Sequence, residues 1–165
     1  MERDSGSERI PGTGHVPAGG QANGDCNGPG SGGRRPLSIL YVDDNPGLLA
    51  VIRIILEQAG HMVVATCSSG ACALALLERQ AFDAVISDYD MPEMNGLAVL
   101  KRIRASGNQV PFILFTLYGR EEIPGTCLES LRGTYLKKCV NPPELIPEVE
   151  KRVFQLTGRG TPRPS

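Results

Sequence analysis

"VISDYDMPEMNGL", residues 85–97, holds the pattern on which the fold turns. An apolar run stops on an acid, Asp88, and a second acid, Asp90, follows two residues later. Met-Pro comes next, and Asn95-Gly96 then opens a new apolar stretch. An apolar run that ends on a carboxylate and passes through a turn into a capped helix is one strand–helix unit. The carboxylate then stands at the carboxyl end of the strand.

Working outward from this unit, the same pattern recurs. "LSILYV" (37–42) is strand-like, and "NPGLLAVIRIILEQAG" follows as a helix. Asn45 is its N-cap, Pro46 takes the first helical position and Gly60 lies just past the end. "MVVAT" (62–66) is strand-like, and "SSGACALALLERQ" is a helix capped by Ser68 or Ser69. "FDAVISD" is the third strand, and "NGLAVLKRIRAS" is a helix with Asn95 as cap. "VPFILFT" (110–116) is the most clearly buried strand, and "TYLKKCV" (134–140) is a fifth. "NPPELIPEVEKRVFQL" closes the series as a helix. Pro147 either kinks that helix or moves its start downstream. Pro124-Gly125 restricts the fourth helix to a short piece, roughly 126–131. Short apolar strands alternating with helices indicate an α/β fold whose parallel sheet is covered on both faces.

Ten of the 20 glycines lie in residues 1–33, among few large apolar residues. Such a segment does not bury enough surface to offset the entropy of ordering it. The expected organisation is a disordered tail over 1–35, a folded domain over 36–157 and a short C-terminal tail over 158–165. His15 and Cys26 fall in the first tail. The formal charge of −1 gives no case for nucleic acid or an anionic membrane. No apolar run is long enough for a membrane span, and MERDSGSERI lacks the apolar core of a signal peptide. A cytoplasmic protein is expected. The five cysteines, Cys26, Cys67, Cys72, Cys127 and Cys139, are odd in number and contain no C-x-x-C. They make no case for zinc or a disulfide framework, and are read as small buried or half-buried apolar residues.

Ligands of open parallel sheets bind beyond the carboxyl ends of the strands, where the strand order reverses. Strand 1 ends in Asp43-Asp44, strand 3 in Asp88, strand 4 in Thr116 and strand 5 in Lys137-Lys138. Strand 2 ends in Thr66-Cys67, which offers little. Singly, each has an ordinary reading: a helix start, a turn former, a strand threonine, a solvated edge. Jointly, they place three carboxylates, a hydroxyl and an ammonium on one edge of one sheet. Converging carboxylates repel one another unless a cation sits among them. Hard oxygen donors without His or thiolate favour Mg²⁺. A lysine and a hydroxyl opposite suit a phosphoryl group, and the spare carboxylate can be its nucleophile.

The motifs "YVDDN", "SDYDMPEMNG", "PFILFT" and "YLKKCVNPPEL" resemble the receiver domain of two-component response regulators, over residues 37 to about 156. The resemblance implies a flavodoxin-like, doubly wound (βα)5 sandwich with a five-stranded parallel sheet of order 2-1-3-4-5. It implies Asp88 as phosphoacceptor and Asp44 as a direct Mg²⁺ ligand, with Asp43 acting largely through water. The backbone carbonyl of Asp90 completes the ligands. Thr116 would bond a phosphoryl oxygen, and Tyr135 stands where the family's switch aromatic stands. Alignment on "YL" and "NPPEL" selects Lys138 rather than Lys137. The implied partners are a histidine kinase or histidine phosphotransfer protein and an unknown downstream protein. No nucleic acid and no membrane insertion are expected. The implied output surface is the face of strand 4, the fourth helix and strand 5.

Three departures from the family pattern stand out. Cys139 occupies the usual cis-proline position, so this loop is either trans or strained. Leu117 follows Thr116 where Ala or Gly is usual, and its bulk is expected to narrow access. Pro124-Gly125 weakens the fourth helix. The expected function is a stand-alone phosphoacceptor, not an enzyme in the ordinary sense, that assists its own phosphoryl transfer and dephosphorylation. One alternative is a receiver fold that binds a partner without phosphorylation. Another is an Asp-x-Asp phosphatase, though there the paired acids come late and here they come first.

Overall fold

The computed structural model describes residues 35–123, 135–138 and 141–158. Strands β1 (Leu37–Val42), β2 (Met62–Cys67), β3 (Ala84–Ser87), β4 (Phe112–Thr116) and β5 (Tyr135–Lys137) form one parallel sheet. Their order is β2-β1-β3-β4-β5. Helices α1 (Pro46–Glu57), α2 (Gly70–Arg79), α3 (Gly96–Ala105) and α4 (Pro142–Thr157) cover it, with a 3₁₀ turn at Arg120–Glu122. This is the doubly wound α/β sandwich expected from the sequence. Among the described residues no helix is long and apolar enough to cross a membrane. The tails expected over 1–35 and 158–165 lie outside the described residues, apart from Arg35 and Gly158. So do the short helix expected near 126–131 and the loop residue Cys139.

The two-residue period of a strand sends alternate side chains to opposite faces. Ile39 and Tyr41 of β1 join Ile52 and Leu56 of α1 and Leu145, Val149 and Val153 of α4 in one core. Leu40 and Val42 join Ala73 of α2 and Val99, Leu100 and Ile103 of α3 in the other. The middle strands are therefore apolar on both faces, and β3 is buried throughout. Each large apolar side chain fully removed from water contributes on the order of 1.5–3 kcal/mol.

Local chemistry sets the helix starts. Asn45 Oδ1 accepts from the N–H groups of Gly47 and Leu48, at 2.9 and 3.2 Å. Ser69, rather than Ser68, caps α2, and Asn95 Oδ1 accepts from Ala98 N–H at 2.9 Å. Gly96 is required by space: a Cβ there would lie 2.2 Å from the carbonyl oxygen of Asp88. The turn between β3 and α3 also holds Glu93 at φ 64°, a conformation uncommon outside glycine.

Two expectations change. Pro147 does not move the start of the last helix, since α4 runs from Pro142 through it. Its ring costs the bond an N–H there would give the residue 143 carbonyl, a loss confined to the second turn. Cys72 is exposed rather than buried, while Cys67 is buried as expected. Cys26, Cys127 and Cys139 lie outside the described residues.

Candidate functional site

The strand order reverses at β1, whose neighbours β2 and β3 lead away in opposite directions. A cleft opens on the β3 side of this point, beyond the ends of β3, β4 and β5. It has a volume of about 470 Å³ and is lined by Asp88, Asp90, Thr116, Leu117, Tyr118, Glu122 and Lys138.

Asp43 follows β1 and is fully buried. Its Oδ1 accepts from the Asn45 N–H at 2.9 Å, and its Oδ2 accepts from the Tyr41 hydroxyl at 2.7 Å. Lys138 Nζ donates to the same Oδ2 at 2.7 Å. Asp44, the next residue, is exposed. Asp88 follows β3 and is 7% exposed. Its Oδ1 accepts from the Tyr89 N–H at 2.7 Å, and its Oδ2 lies 2.9 Å from Lys138 Nζ. One carboxylate oxygen from each of Asp43, Asp44 and Asp88 falls within a group no wider than 4.8 Å. Lys138 is thus lodged between two buried acids, whereas Lys137 is exposed.

Burial is the largest cause of a raised Asp88 pKa, and the charge of Asp43 adds to it. Lys138 and the Tyr89 N–H pull the other way without cancelling the rise. One ammonium therefore does not neutralise this site. The donor set is all hard oxygen and carries excess negative charge, so it fits a small divalent cation such as Mg²⁺.

The opposite wall comes from β4 and β5. Thr116 is buried, and its Oγ1 accepts from the Tyr118 N–H at 3.3 Å. The carbonyl of Thr116 accepts from the Lys138 N–H at 2.8 Å, which fixes the backbone that carries the lysine. The Tyr135 hydroxyl donates to the Tyr118 carbonyl. The Tyr118 hydroxyl in turn donates to Asp90 Oδ2 at 3.0 Å and spans the cleft mouth. That bond, then the charge of Asp90, raises the Tyr118 pKa. Leu117 lines the cleft but is 69% exposed.

Tyr41 is the residue that sequence reasoning missed. It is fully buried, and burial followed by its bond to Asp43 pushes its hydroxyl pKa up, so it stays a donor. The two-residue strand period would have found it, because it puts Tyr41 and Asp43 on one face. Ser87 was also missed; its hydroxyl donates to the Asp88 carbonyl at 2.9 Å.

The sequence model of the response regulator receiver domain matches residues 39–150, which include all of these side chains. The chain belongs to the response regulator receiver domains. A Leptolyngbya boryana protein, described as an uncharacterized 14.6 kDa protein, is 38% identical to this receiver over 117 residues. The match covers 70% of this chain and 88% of that one. The transcriptional regulatory protein GlrR of Escherichia coli is 37% identical over 101 residues, 61% of this chain and 22% of the regulator. The receiver thus matches about a fifth of that relative's length. Among solved structures, the receiver domain of a Pseudomonas aeruginosa sensor histidine kinase has a magnesium ion coordinated in its active-site cleft. It is 29% identical at a TM-score of 0.64, over 75% of this chain and 99% of that one. A Vibrio cholerae chemotaxis protein is 28% identical at a TM-score of 0.63, over 70% of this chain and 98% of that one. Receivers are the phosphoacceptors of two-component systems, and they interact with kinases or phosphotransfer proteins.

Proposed function

We propose that this receiver takes a phosphoryl group onto Asp88 from the phosphohistidine of a kinase or a histidine phosphotransfer protein. The observation that carries the proposal is the lodging of Lys138 Nζ between Asp43 and Asp88, at 2.7 and 2.9 Å. A carboxylate oxygen of Asp88 attacks phosphorus while the phosphorus–nitrogen bond to histidine breaks. Attack at an already anionic phosphoryl group is limited by charge and position rather than by covalent chemistry. Lys138 meets the charge of the incoming group, and the Tyr89 N–H holds the other Asp88 oxygen in place. Asp43, Asp44, Asp88 and the carbonyl of Asp90 would hold Mg²⁺. When bound, the ion neutralises charge and orients phosphoryl oxygens. Tyr41 and Asn45 keep Asp43 oriented toward that position.

Thr116 then turns its hydroxyl from the Tyr118 N–H to a phosphoryl oxygen. Tyr135 releases the Tyr118 carbonyl and moves inward. The face of β4 and β5 changes shape, and with it the affinity for a downstream protein in the cytoplasm. Water later removes the phosphoryl group, with Asp90 and Tyr118 at the mouth setting its approach. Acetyl phosphate with Mg²⁺ labels the wild-type chain, and Asp88→Asn abolishes the label. Undiminished labelling in that variant would remove Asp88 as acceptor. A wild-type chain that takes no label would favour a module that binds its partner without phosphorylation.

A further inference from the structure

β2 ends without an acid, yet two sulfurs meet there. Cys67 closes the strand and is buried beside Val42 and Ala73 in the α2–α3 core. Cys72 lies in the first turn of α2, where its N–H donates to Ser69 Oγ at 3.2 Å, and it is exposed. Their Sγ atoms are 2.7 Å apart. A disulfide bond is about 2.05 Å long. Two thiolates sharing a tetrahedral metal with bonds of about 2.3 Å stand well over 3 Å apart. The observed spacing is nearer the bond than the metal site. Among the described residues, moreover, only Asp43, Asp44 and Asp88 gather as metal-ligating side chains.

We propose that Cys67 and Cys72 are an oxidant-responsive thiol pair that closes a disulfide across the β2–α2 turn on meeting hydrogen peroxide. The exposed Cys72 reacts first, as the nucleophile. Its sulfur bonds to one peroxide oxygen, the oxygen–oxygen bond breaks, and water leaves once the released oxygen takes the thiol proton. Cys67 then attacks Cys72 Sγ. The sulfur–sulfur bond forms, the sulfenic hydroxyl leaves, and the Cys67 proton goes with it as a second water. Two thiols lose two electrons and two protons, and one peroxide becomes two waters. Cys67 is buried and Cys72 exposed, in keeping with Cys67 as the second thiol rather than the first.

The turn adjoins the acidic site. Cys67 pairs with Val42, and its carbonyl accepts from the Asp43 N–H at 3.1 Å. Closing the bond fixes the residue that holds the backbone of Asp43, so redox state changes the phosphorylation rate. This coupling rests on the phosphoacceptor reading of Asp88.

Trypsin releases both cysteines in one peptide, residues 54–79, which makes the test direct. The full chain is treated with hydrogen peroxide, alkylated with N-ethylmaleimide and digested. The expected peptide is lighter by two hydrogens and carries no adduct. Prior treatment with dithiothreitol restores two adducts, and Cys72→Ser never gives the lighter form. Two adducts after peroxide, or oxidation of Cys72 to a sulfinic acid without a crosslink, would overturn the pair. Acetyl phosphate labelling of reduced and oxidised chains is expected to differ at least twofold in rate, with no difference in Cys72→Ser. Equal wild-type rates would overturn the coupling and leave the disulfide standing. No label in either form would remove the coupling together with the Asp88 reading, while the peptide mass still decides the disulfide.

Discussion

β1 and β3 reach the cleft from the middle of the sheet, whereas β4 and β5 reach it from one edge. The middle strands deliver Asp43 and Asp88 as buried side chains at the base of the cleft, and every oxygen of these two acids has a partner. The edge side has a three-residue strand and presents Leu117 and Tyr118 to solvent. Its tyrosine hydroxyls bond to one backbone carbonyl and to an exposed acid. Removing the cation shared in the middle is costly, because the buried acids that lose it keep their desolvation penalty. Bonds on the exposed side can be exchanged for water at little cost. A site built this way keeps its chemistry fixed on one wall and its movable reporters on the other.

The largest test of that contrast removes the cation shared by the acids. In metal-free buffer at pH 7, Lys138→Ala should lower the urea unfolding free energy by about 3 kcal/mol. Lys137→Ala, on the exposed side of the same strand end, should stay within about 0.5 kcal/mol. Equal losses would break the contrast and move the register of the lysine by one.

A smaller effect follows from the raised pKa of Asp88. A carboxyl whose folded pKa exceeds its unfolded value binds protons more readily in the folded state, so its ionisation costs stability as pH rises through that window. Asp88→Asn should therefore raise the melting temperature at pH 7, by about 3 °C. The gain should shrink as pH falls through the carboxylate range and vanish below the unfolded value. Thermal melts across that range would show it, and a gain that grew toward acid pH would reverse the sign assigned to Asp88.

Leu117→Ala should do least, within about 0.5 kcal/mol by urea unfolding, because the side chain is 69% exposed. A loss above about 1 kcal/mol would show that the edge side is packed and not merely poised there.

The parts of this site that were legible share one property: each depends on a few neighbouring residues. A strand end, a cap and a turn are local, so Asp43, Asp88, Asn45 and Asn95 could be placed from their own surroundings. Tyr41 was passed over because its role requires the face on which Asp43 lies, although the strand period contains it. The Cys67–Cys72 contact was invisible to a count of cysteine spacings, since a strand-to-helix turn brings together residues five apart. Pro147 looked like a breaker, but α4 packs Leu145, Val149 and Val153 into the core and tolerates one missing bond.

By itself the sequence determined the alternation of buried strands and capped helices, and the acids that stop two of those strands. Hydrophobic period and capping act within a turn or two of chain, so they are written residue by residue. Only the tertiary structure decided how closely those charges approach one another and how far water is kept from them. Lys138 is 95 residues from Asp43 along the chain, and it meets that acid because β5 joins the sheet edge in register with β4. Electrostatic energy depends on distance and on the exclusion of water, and both are set when the sheet closes under its helices.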